Sequence, residues 1–246
     1  MKNHAVVKSQ SFIIGAPPTL NMFVDQRKLE MPDANYLVAS SPCIKQDQFV
    51  NPYPAKQTIG IILGLISAVL GRVAFLDHIT DQILSESQES AFTGVFRVPH
   101  PDDFIHFTDD GLLHEVTTAI ADLSEDARGK LLFVLNIFGR AVQERDEAFR
   151  FSLYWIALEV ITGTKGNGIA AKLGNVYSRR REYAFKELEF RAAYDYRNAL
   201  FHKGVMQSFS ARLERLMQCY FYDFLRDRLN LPCKSLALNA MSAFQK

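Results

Sequence analysis

Apolar residues in the second half of the chain recur at the spacing of an α-helix, and this periodicity restricts the fold more than any other feature. The repeat i, i+3, i+4, i+7 places side chains on one helix face. It is most regular before Pro232, at Leu213, Leu216, Met217, Tyr220, Phe221, Phe224 and Leu225. A second repeat follows Ser124, a suitable N-cap, at Leu131, Val134, Leu135, Phe138 and Val142. Such stretches with short connections predict a bundle of four to five helices.

Three further segments complete the predicted bundle. Asp146 opens a helix in which Phe149–Ile161 (FRFSLYWIALEVI) is apolar on nearly all sides, which indicates a central, buried helix. After a break at Gly163–Gly168, further helices are predicted at Ile169–Tyr177 and Tyr183–Phe201. The expected fold class is therefore mainly α.

The first part of the chain has a different pattern. Six prolines interrupt residues 1–57, and short runs of β-formers such as Ser11–Gly15 and Tyr36–Ala39 lie between them, which predicts short strands and loops. An apolar helix is expected at about residues 58–84, a strand or loop at Phe92–Pro101, and a short helix at Leu112–Leu123. We expect a small mixed α/β or irregular N-terminal region of unknown role at residues 1–120, followed by a helical domain at residues 121–246.

Composition excludes several classes of protein. Of the 246 residues, 48% are hydrophobic and 22% are charged, which excludes a disordered or disulfide-scaffold chain. The apolar run Ile59–Gly71 is shorter than the ~18 residues that span a bilayer, so it indicates a core helix. Three cysteines without a C-x-x-C pair argue against a zinc ribbon and favour a reducing cytoplasm. The first ten residues lack the apolar core of a signal peptide.

Charge is distributed unevenly along a chain whose net charge is only +1. Residues 1–119 hold 8 Lys and Arg against 13 Asp and Glu, whereas residues 120–246 hold 20 against 14. A basic half is typical of a part that faces nucleic acid. The run Arg179-Arg180-Arg181, in or near a helix, is suited to phosphate contact because guanidinium groups match phosphate oxygens. The alternative interpretation of this run is a solvated surface.

Two other motifs suggest chemistry only loosely. Gly166-Asn167-Gly168-Ile169-Ala170-Ala171 satisfies G-x-G-x-x-A, but a dinucleotide site requires a strand before it, and the preceding segment is too long and too evenly apolar for one. Glycines that end a helix or form a turn explain this glycine pattern better than a dinucleotide site does. The segment HPDDFIHFTDDGLLH (residues 100–114) contains metal-ligand types but no histidine pair at i, i+4, so a solvated acidic loop with a helix cap is favoured. We expect neither a metal nor another cofactor.

The strongest candidate for chemistry is the segment YDYRNALFHKG, at Tyr194–Gly204. Asn198 and His202 are four apart and project from one helix face, whereas Arg197 lies about 140° around the helix from His202. The long arginine side chain, or an irregular helix end, could close that gap. An arginine, an amide and an imidazole at one place can cleave a phosphodiester without a metal, because the imidazole transfers protons and the guanidinium stabilises phosphoryl charge.

Arg197-Asn198-x-x-x-His202 resembles the R-x(4–6)-H motif of HEPN domains, the higher eukaryotes and prokaryotes nucleotide-binding family. Asp146–Gly163 resembles the family's upstream helix with its Ala-Leu-Glu core, and YRNALFHKG resembles the motif segment of the Apea-like HEPN group. The resemblance covers about residues 124–232. It implies a helical bundle that forms a homodimer and brings two motif copies to a shared cleft.

The resemblance also implies a function. Many HEPN proteins are metal-independent ribonucleases of toxin–antitoxin, CRISPR-linked or antiphage systems. It implies that His202 is the general acid or base, that Arg197 stabilises phosphoryl charge, and that Asn198 orients either His202 or the phosphate. Arg179, Arg180, Arg181 and Lys203 are the expected RNA contacts, and an antitoxin or another defence protein is a further expected partner.

Two alternatives remain open at this point. The chain could be a catalytically silent HEPN module for protein interaction or for nucleotide or RNA sensing, and a dinucleotide-dependent enzyme is the third and least favoured possibility. Glu159 could pair with a cation in the bundle, where a purely structural ion pair is an equally good interpretation.

Overall fold

The computed structural model describes residues 4–7, 10–15, 35–42, 44–46, 49–70, 77–86, 89–98, 110–205 and 208–244. The N-terminal part contains the strands β1 (His4–Val7), β2 (Gln10–Gly15), β3 (Asn35–Pro42), β4 (Ile44–Gln46), β5 (Phe49–Asn51), β6 (Asp77–Glu86) and β7 (Glu89–Val98), with the helix α1 (Tyr53–Leu70) between β5 and β6. The remainder forms α2 (Asp110–Ala121), α3 (Glu125–Gln143), α4 (Glu147–Thr162), α5 (Asn167–Val176), α6 (Arg181–Lys186), α7 (Phe190–Lys203), α8 (Ala211–Arg228) and α9 (Leu236–Phe244). The expected mainly helical fold is confirmed.

Five of the strands form one antiparallel sheet in the order β1-β2-β3-β7-β6, and β4 pairs with β5 separately. The helix expected at about residues 58–84 is wrong in its second part, since α1 ends at Leu70 and Asp77–Glu86 is strand β6. This segment pairs with β7 from Asp77 opposite Arg97 to Glu86 opposite Glu89. Periodicity alone does not separate a short strand from a helix. Here the segment is a strand that pairs with β7, and the sequence of the segment itself does not reveal this partner.

Helix α1 contacts the strands β3 and β7 of the sheet and the helix α3 of the bundle. A Cβ atom on Gly64 would lie 1.8 Å from the backbone oxygen of Leu135, and one on Gly139 would lie 2.3 Å from the backbone oxygen of Gly60. The two helices therefore cross with their backbones in direct contact, which a larger residue would prevent. The expected division at residue 120 stays a prediction. Helix α1 precedes it and α2 runs across it, and both contribute to the same core as α3–α9.

Helices α3, α4 and α8 enclose the centre of the bundle. Phe138 of α3 stacks on Phe221 of α8 with 4.0 Å between ring centroids, and it also contacts Tyr154 of α4. The predicted N-caps are present, since the side chains of Ser124 and Asp146 accept hydrogen bonds from backbone amides in the first turns of α3 and α4. None of the described helices combines the length and the hydropathy needed to cross a bilayer.

Two buried charged residues of α8 bind the neighbouring helices α2 and α9 to the bundle. The Arg226 guanidinium, fully buried, donates to both carboxylate oxygens of Glu115 on α2, at 2.8 and 3.1 Å. Asp223 accepts hydrogen bonds from the Tyr177 hydroxyl and from the backbone amides of Leu236 and Ala237, which begin α9. Burial raises the pKa of the Asp223 carboxyl above its usual value, although these donors act in the opposite direction.

The helix expected at Tyr183–Phe201 is instead two helices, α6 and α7, so that prediction is wrong at the break. Glu189 has the positive φ of 55°, which the right-handed helix does not allow. Leu188 is fully buried beside this break, and Arg212 of α8 donates from Nε to the Glu189 carboxylate at 3.1 Å. Contacts with α8, which lies more than twenty residues away in sequence, therefore accompany the break.

Helix α4 is central but is not buried on all sides, so the expectation of a buried helix at Phe149–Ile161 is wrong for one of its faces. Phe151, Trp155 and Leu158 are buried, whereas Phe149 is 67% exposed, Ile156 42% and Val160 41%. The exposed residues are seven and four positions apart, so they share one helix face. We call Phe149, Ile156 and Val160 the α4 stripe. Neighbouring helices cover the opposite face, and no described residue buries this one.

We predict opposite effects for the same substitution at two glycines. Gly64→Ala should lower the free energy of unfolding by about 1–3 kcal/mol, because the new methyl group forces α1 away from α3. Gly129→Ala is the matched control: Gly129 is exposed in α3, and a Cβ there meets nothing within 4 Å. It should raise stability by about 0.5–1 kcal/mol through helix propensity.

Urea unfolding curves of both variants measure these changes as midpoint shifts at constant m-value. Equal stabilisation by both substitutions would contradict the close crossing of α1 and α3.

Candidate functional site

Aromatic contacts with α4 determine which face of α7 points outward. Phe151 of α4 packs on Tyr196 of α7 with 4.3 Å between ring centroids. One turn further along α4, Trp155 contacts Phe190 and Tyr194 with 5.9 and 6.5 Å between centroids. The aromatic side of α7 therefore faces the core, and its polar residues lie toward the surface.

Helix α7 ends directly after the candidate histidine. Gly204 adopts the left-handed conformation with φ 63°, and its amide donates to the backbone oxygen of Ala199. The amide of Val205 donates to the same oxygen at 3.0 Å. Glycine is the residue that takes this conformation without strain, so it stops the helix here. His202 and Lys203 consequently lie in an exposed last turn.

The three residues of the sequence motif meet at this end of α7. The Arg197 Nη1 atom donates to the Asn198 Oδ1 atom at 3.1 Å, and it also contacts the His202 Nε2 atom. The long arginine side chain closes the angular gap of about 140° between Arg197 and His202 around the helix. Their catalytic role stays a prediction, but the grouping that it requires is present.

The Arg197 guanidinium lies directly beside the His202 ring. A guanidinium is always protonated and offers only donors, so a hydrogen bond between the two groups uses the His202 Nε2 atom as the acceptor. The pair places an imidazole nitrogen next to a fixed positive charge.

The Arg197 guanidinium is also oriented by an aromatic ring. Its central carbon lies 5.8 Å from the centroid of the Phe201 ring, a distance at which a cation is attracted to the ring face. The Nε atom of Arg197 is buried without a hydrogen-bond partner. Among the described residues no carboxylate pairs with Arg197, so its charge is not neutralised by an ion pair there.

Tyr196, the neighbour of Arg197, is not suited to proton transfer. Burial raises the pKa of its hydroxyl above the usual value, and the nearby carboxylates of Glu147 and Asp146 raise it further. The hydroxyl therefore stays protonated at neutral pH. Tyr196 instead anchors α7, through its contacts with Phe151 and Phe209.

The arginine run lies before and at the start of α6. A Cβ atom on Gly174 would lie 2.7 Å from the backbone oxygen of Arg180, so the run passes closely over α5. Arg179, Arg180 and Arg181 are all exposed; the guanidinium of Arg179 lies 5.9 Å from the Tyr183 ring, and that of Arg181 lies 3.6 Å from the Glu182 carboxylate. A role in RNA binding stays a prediction for these residues and for Lys203.

The two weaker motifs gain no support. The glycine segment follows helix α4 rather than a strand, with Gly163 ending α4 at φ 65° and Gly166 preceding α5 at φ 54°. A dinucleotide site of the strand–turn–helix type therefore does not form there. Most of the acidic segment, residues 100–109, lies outside the described residues, and His114 is exposed on α2. In the part of the chain that the structure describes, no group of three or more potential metal ligands comes together.

Sequence reasoning missed two features of the site. It did not include Phe201, although an aromatic residue four positions after Arg197 has the spacing for a cation–ring contact within a helix. It also left the partner of Glu159 open. The Glu159 carboxylate accepts a hydrogen bond from the Trp155 indole at 2.9 Å, and no cation among the described residues pairs with it.

Neither a protein-family model, nor a curated protein, nor a solved structure matches this chain. The geometry of the site and the sequence motif are therefore the basis for a functional conclusion.

Proposed function

We propose that this protein is a metal-independent endoribonuclease of the HEPN type, which cleaves RNA by attack of a 2′-hydroxyl on the adjacent phosphate. The contact of one arginine nitrogen with both Asn198 and His202, at an exposed helix end, is the observation that carries the proposal. It gathers a proton-transferring group and a phosphate-binding group in one place, as this reaction requires.

In the proposed reaction the 2′-oxygen forms a bond to phosphorus while the bond from phosphorus to the 5′-oxygen breaks. A neutral His202 imidazole accepts the proton of the 2′-hydroxyl, and Arg197 stabilises the negative charge that develops on the phosphoryl oxygens. The products are a 2′,3′-cyclic phosphate and a 5′-hydroxyl. Asn198 holds the Arg197 guanidinium in position through its side-chain oxygen.

The leaving 5′-oxygen requires a proton from a second group. We propose that a homodimer supplies it, with His202 of the partner subunit in its protonated form across a shared cleft. The α4 stripe supports a homodimer, because several exposed apolar residues on one helix face are typical of a protein interface. Arg179, Arg180, Arg181 and Lys203 are proposed to bind RNA phosphates, and their exposure supports this role.

The biological setting is part of the same proposal. We place the protein in the cytoplasm, in a toxin–antitoxin or antiphage system with a regulating partner protein. The resemblance of Arg197-Asn198-x-x-x-His202 and of the upstream helix to HEPN domains supports this setting. A silent HEPN module for protein interaction or RNA sensing is the second candidate, and the α4 stripe favours it if RNA is not cleaved.

We predict that two single substitutions remove most of the activity without unfolding the protein. His202→Ala should lower the cleavage rate about 10²–10⁴-fold through loss of the proton-transferring group, and Arg197→Ala should lower it about 10²–10³-fold through lost charge stabilisation. His114→Ala and Arg140→Ala are matched controls, since both residues are exposed on other helices. Rates on mixed RNA in EDTA, with circular dichroism to confirm folding, measure the effect. Full activity in His202→Ala, or loss of wild-type activity in EDTA, would contradict the mechanism.

We predict that the α4 stripe holds the homodimer together. Ile156→Glu or Val160→Glu should dissociate it, because burying an unpaired carboxylate in an apolar interface is strongly unfavourable. Thr118→Glu adds the same charge at an exposed position of α2 and should leave the dimer intact. Sedimentation velocity at micromolar concentration distinguishes the species. A wild-type monomer would remove the shared-cleft mechanism, and a dimer that tolerates both stripe substitutions would place the interface elsewhere.

A further inference from the structure

Phe201 is an aromatic residue of α7 that the core does not use. The rings of Phe190, Tyr194 and Tyr196 pack against α4, whereas 46% of Phe201 is exposed. A single exposed phenylalanine is ordinary in a protein surface. Its position is informative, because Phe201 directly precedes His202 and lies beside the Arg197 guanidinium.

We propose that Phe201 is a stacking platform for an unpaired RNA base next to the phosphate that Arg197 and His202 engage. This inference rests on the proposed function and adds a positioning residue to it. Its basis is the juxtaposition of an exposed ring, a cation and an imidazole within the last turns of one helix.

The combination matches the chemistry by which proteins bind single-stranded RNA. Such proteins join positive charge along the backbone with aromatic rings on which successive bases stack. Here the cations are Arg197 and the exposed Lys203, on either side of Phe201 in sequence. Since Arg197 already lies against the ring, a phosphate that it binds places the attached nucleotide close to Phe201.

Stacking of a base on Phe201 would also help the 2′-oxygen to reach the position from which it attacks the phosphate. Attack of the 2′-oxygen in line with the leaving 5′-oxygen requires a nucleotide whose base is free to turn out of a helix. A base in a duplex is paired and stacked on its neighbours, so it cannot lie on Phe201 without opening. Cleavage should accordingly favour single strands over duplexes, with little dependence on base identity because every base has a π-face.

Kinetics of Phe201 variants test the platform. Phe201→Ala should raise KM about 5- to 140-fold on single-stranded RNA, the fold-change that corresponds to the usual stacking energy of one base. The kcat value should stay nearly constant, because the stacked base is held equally in the ground state and the transition state. Phe201→Leu, which keeps an apolar side chain without a ring, should behave like Phe201→Ala, and Phe201→Trp should restore a low KM.

Phe133→Ala is the matched control, since Phe133 is 58% exposed on α3 and belongs to no part of the site. Its KM should equal that of the wild-type protein. A Phe201→Leu variant with wild-type KM, or a Phe201→Ala variant whose sole change is dissociation of the dimer in sedimentation, would overturn the platform and leave Phe201 a packing residue.

A binding experiment separates this inference from the proposed function. The probe is a single-stranded RNA with 2-aminopurine at a cleaved position and a 2′-deoxy sugar there, so that it cannot be cleaved by the proposed reaction. Its fluorescence should fall on binding to the wild-type and Phe201→Trp proteins, and it should stay constant with Phe201→Leu. Equal quenching by all three proteins would overturn the platform. Quenching by a wild-type protein that cleaves no RNA would support the platform and reject the ribonuclease.

Discussion

The packing of α7 on α4 is the contact on which the candidate site depends. Phe151 and Trp155 hold the aromatic side of α7 against the core, so Arg197, Asn198 and His202 are left on the outer side. If α7 turned by a third of a revolution, Arg197 would enter the aromatic layer and its charge would be buried at great cost. The arrangement of the candidate site is thus a consequence of how α7 buries its rings.

In the proposed mechanism, Arg197 has two tasks that compete with each other. In the free protein it contacts the His202 Nε2 atom, and the lone pair of this atom is the one that the proposed general base needs. A bound phosphate is a stronger acceptor for a guanidinium than a neutral ring, because the hydrogen bond is charge-assisted on both sides. In our account, substrate binding therefore moves the guanidinium toward the phosphate and frees the His202 base.

Sequence periodicity predicted the bundle well because the long helices carry apolar residues at helical spacing, and the caps at Ser124 and Asp146 follow from local chemistry. It failed where distant contacts decide. The strand at Asp77–Glu86 depends on pairing with β7, and the break at Glu189 is accompanied by contacts with α8. The open α4 stripe could not be predicted either, because an apolar pattern does not reveal which neighbour covers each face.

The candidate site was accessible from sequence because its members lie within six residues of one helix. Spacing placed Asn198 and His202 on one face, and the reach of an arginine side chain allowed for Arg197. The contact between Phe201 and Arg197 was missed, since an aromatic residue in a helix is usually assigned to the core. Residues 1–120 show the opposite case: the sheet and α1 are described, yet neither their pattern nor their fold indicates a role.

The most direct test of the central claim follows the 2′-hydroxyl itself. A single-stranded RNA of defined sequence is incubated with the wild-type protein in EDTA, and its cleaved positions are replaced one at a time by 2′-deoxynucleotides. Our account predicts that cleavage disappears only at the bond 3′ to each replaced nucleotide and that all remaining products end in a 2′,3′-cyclic phosphate. Cleavage at a 2′-deoxynucleotide, or products with a 3′-hydroxyl and a 5′-phosphate, would contradict it.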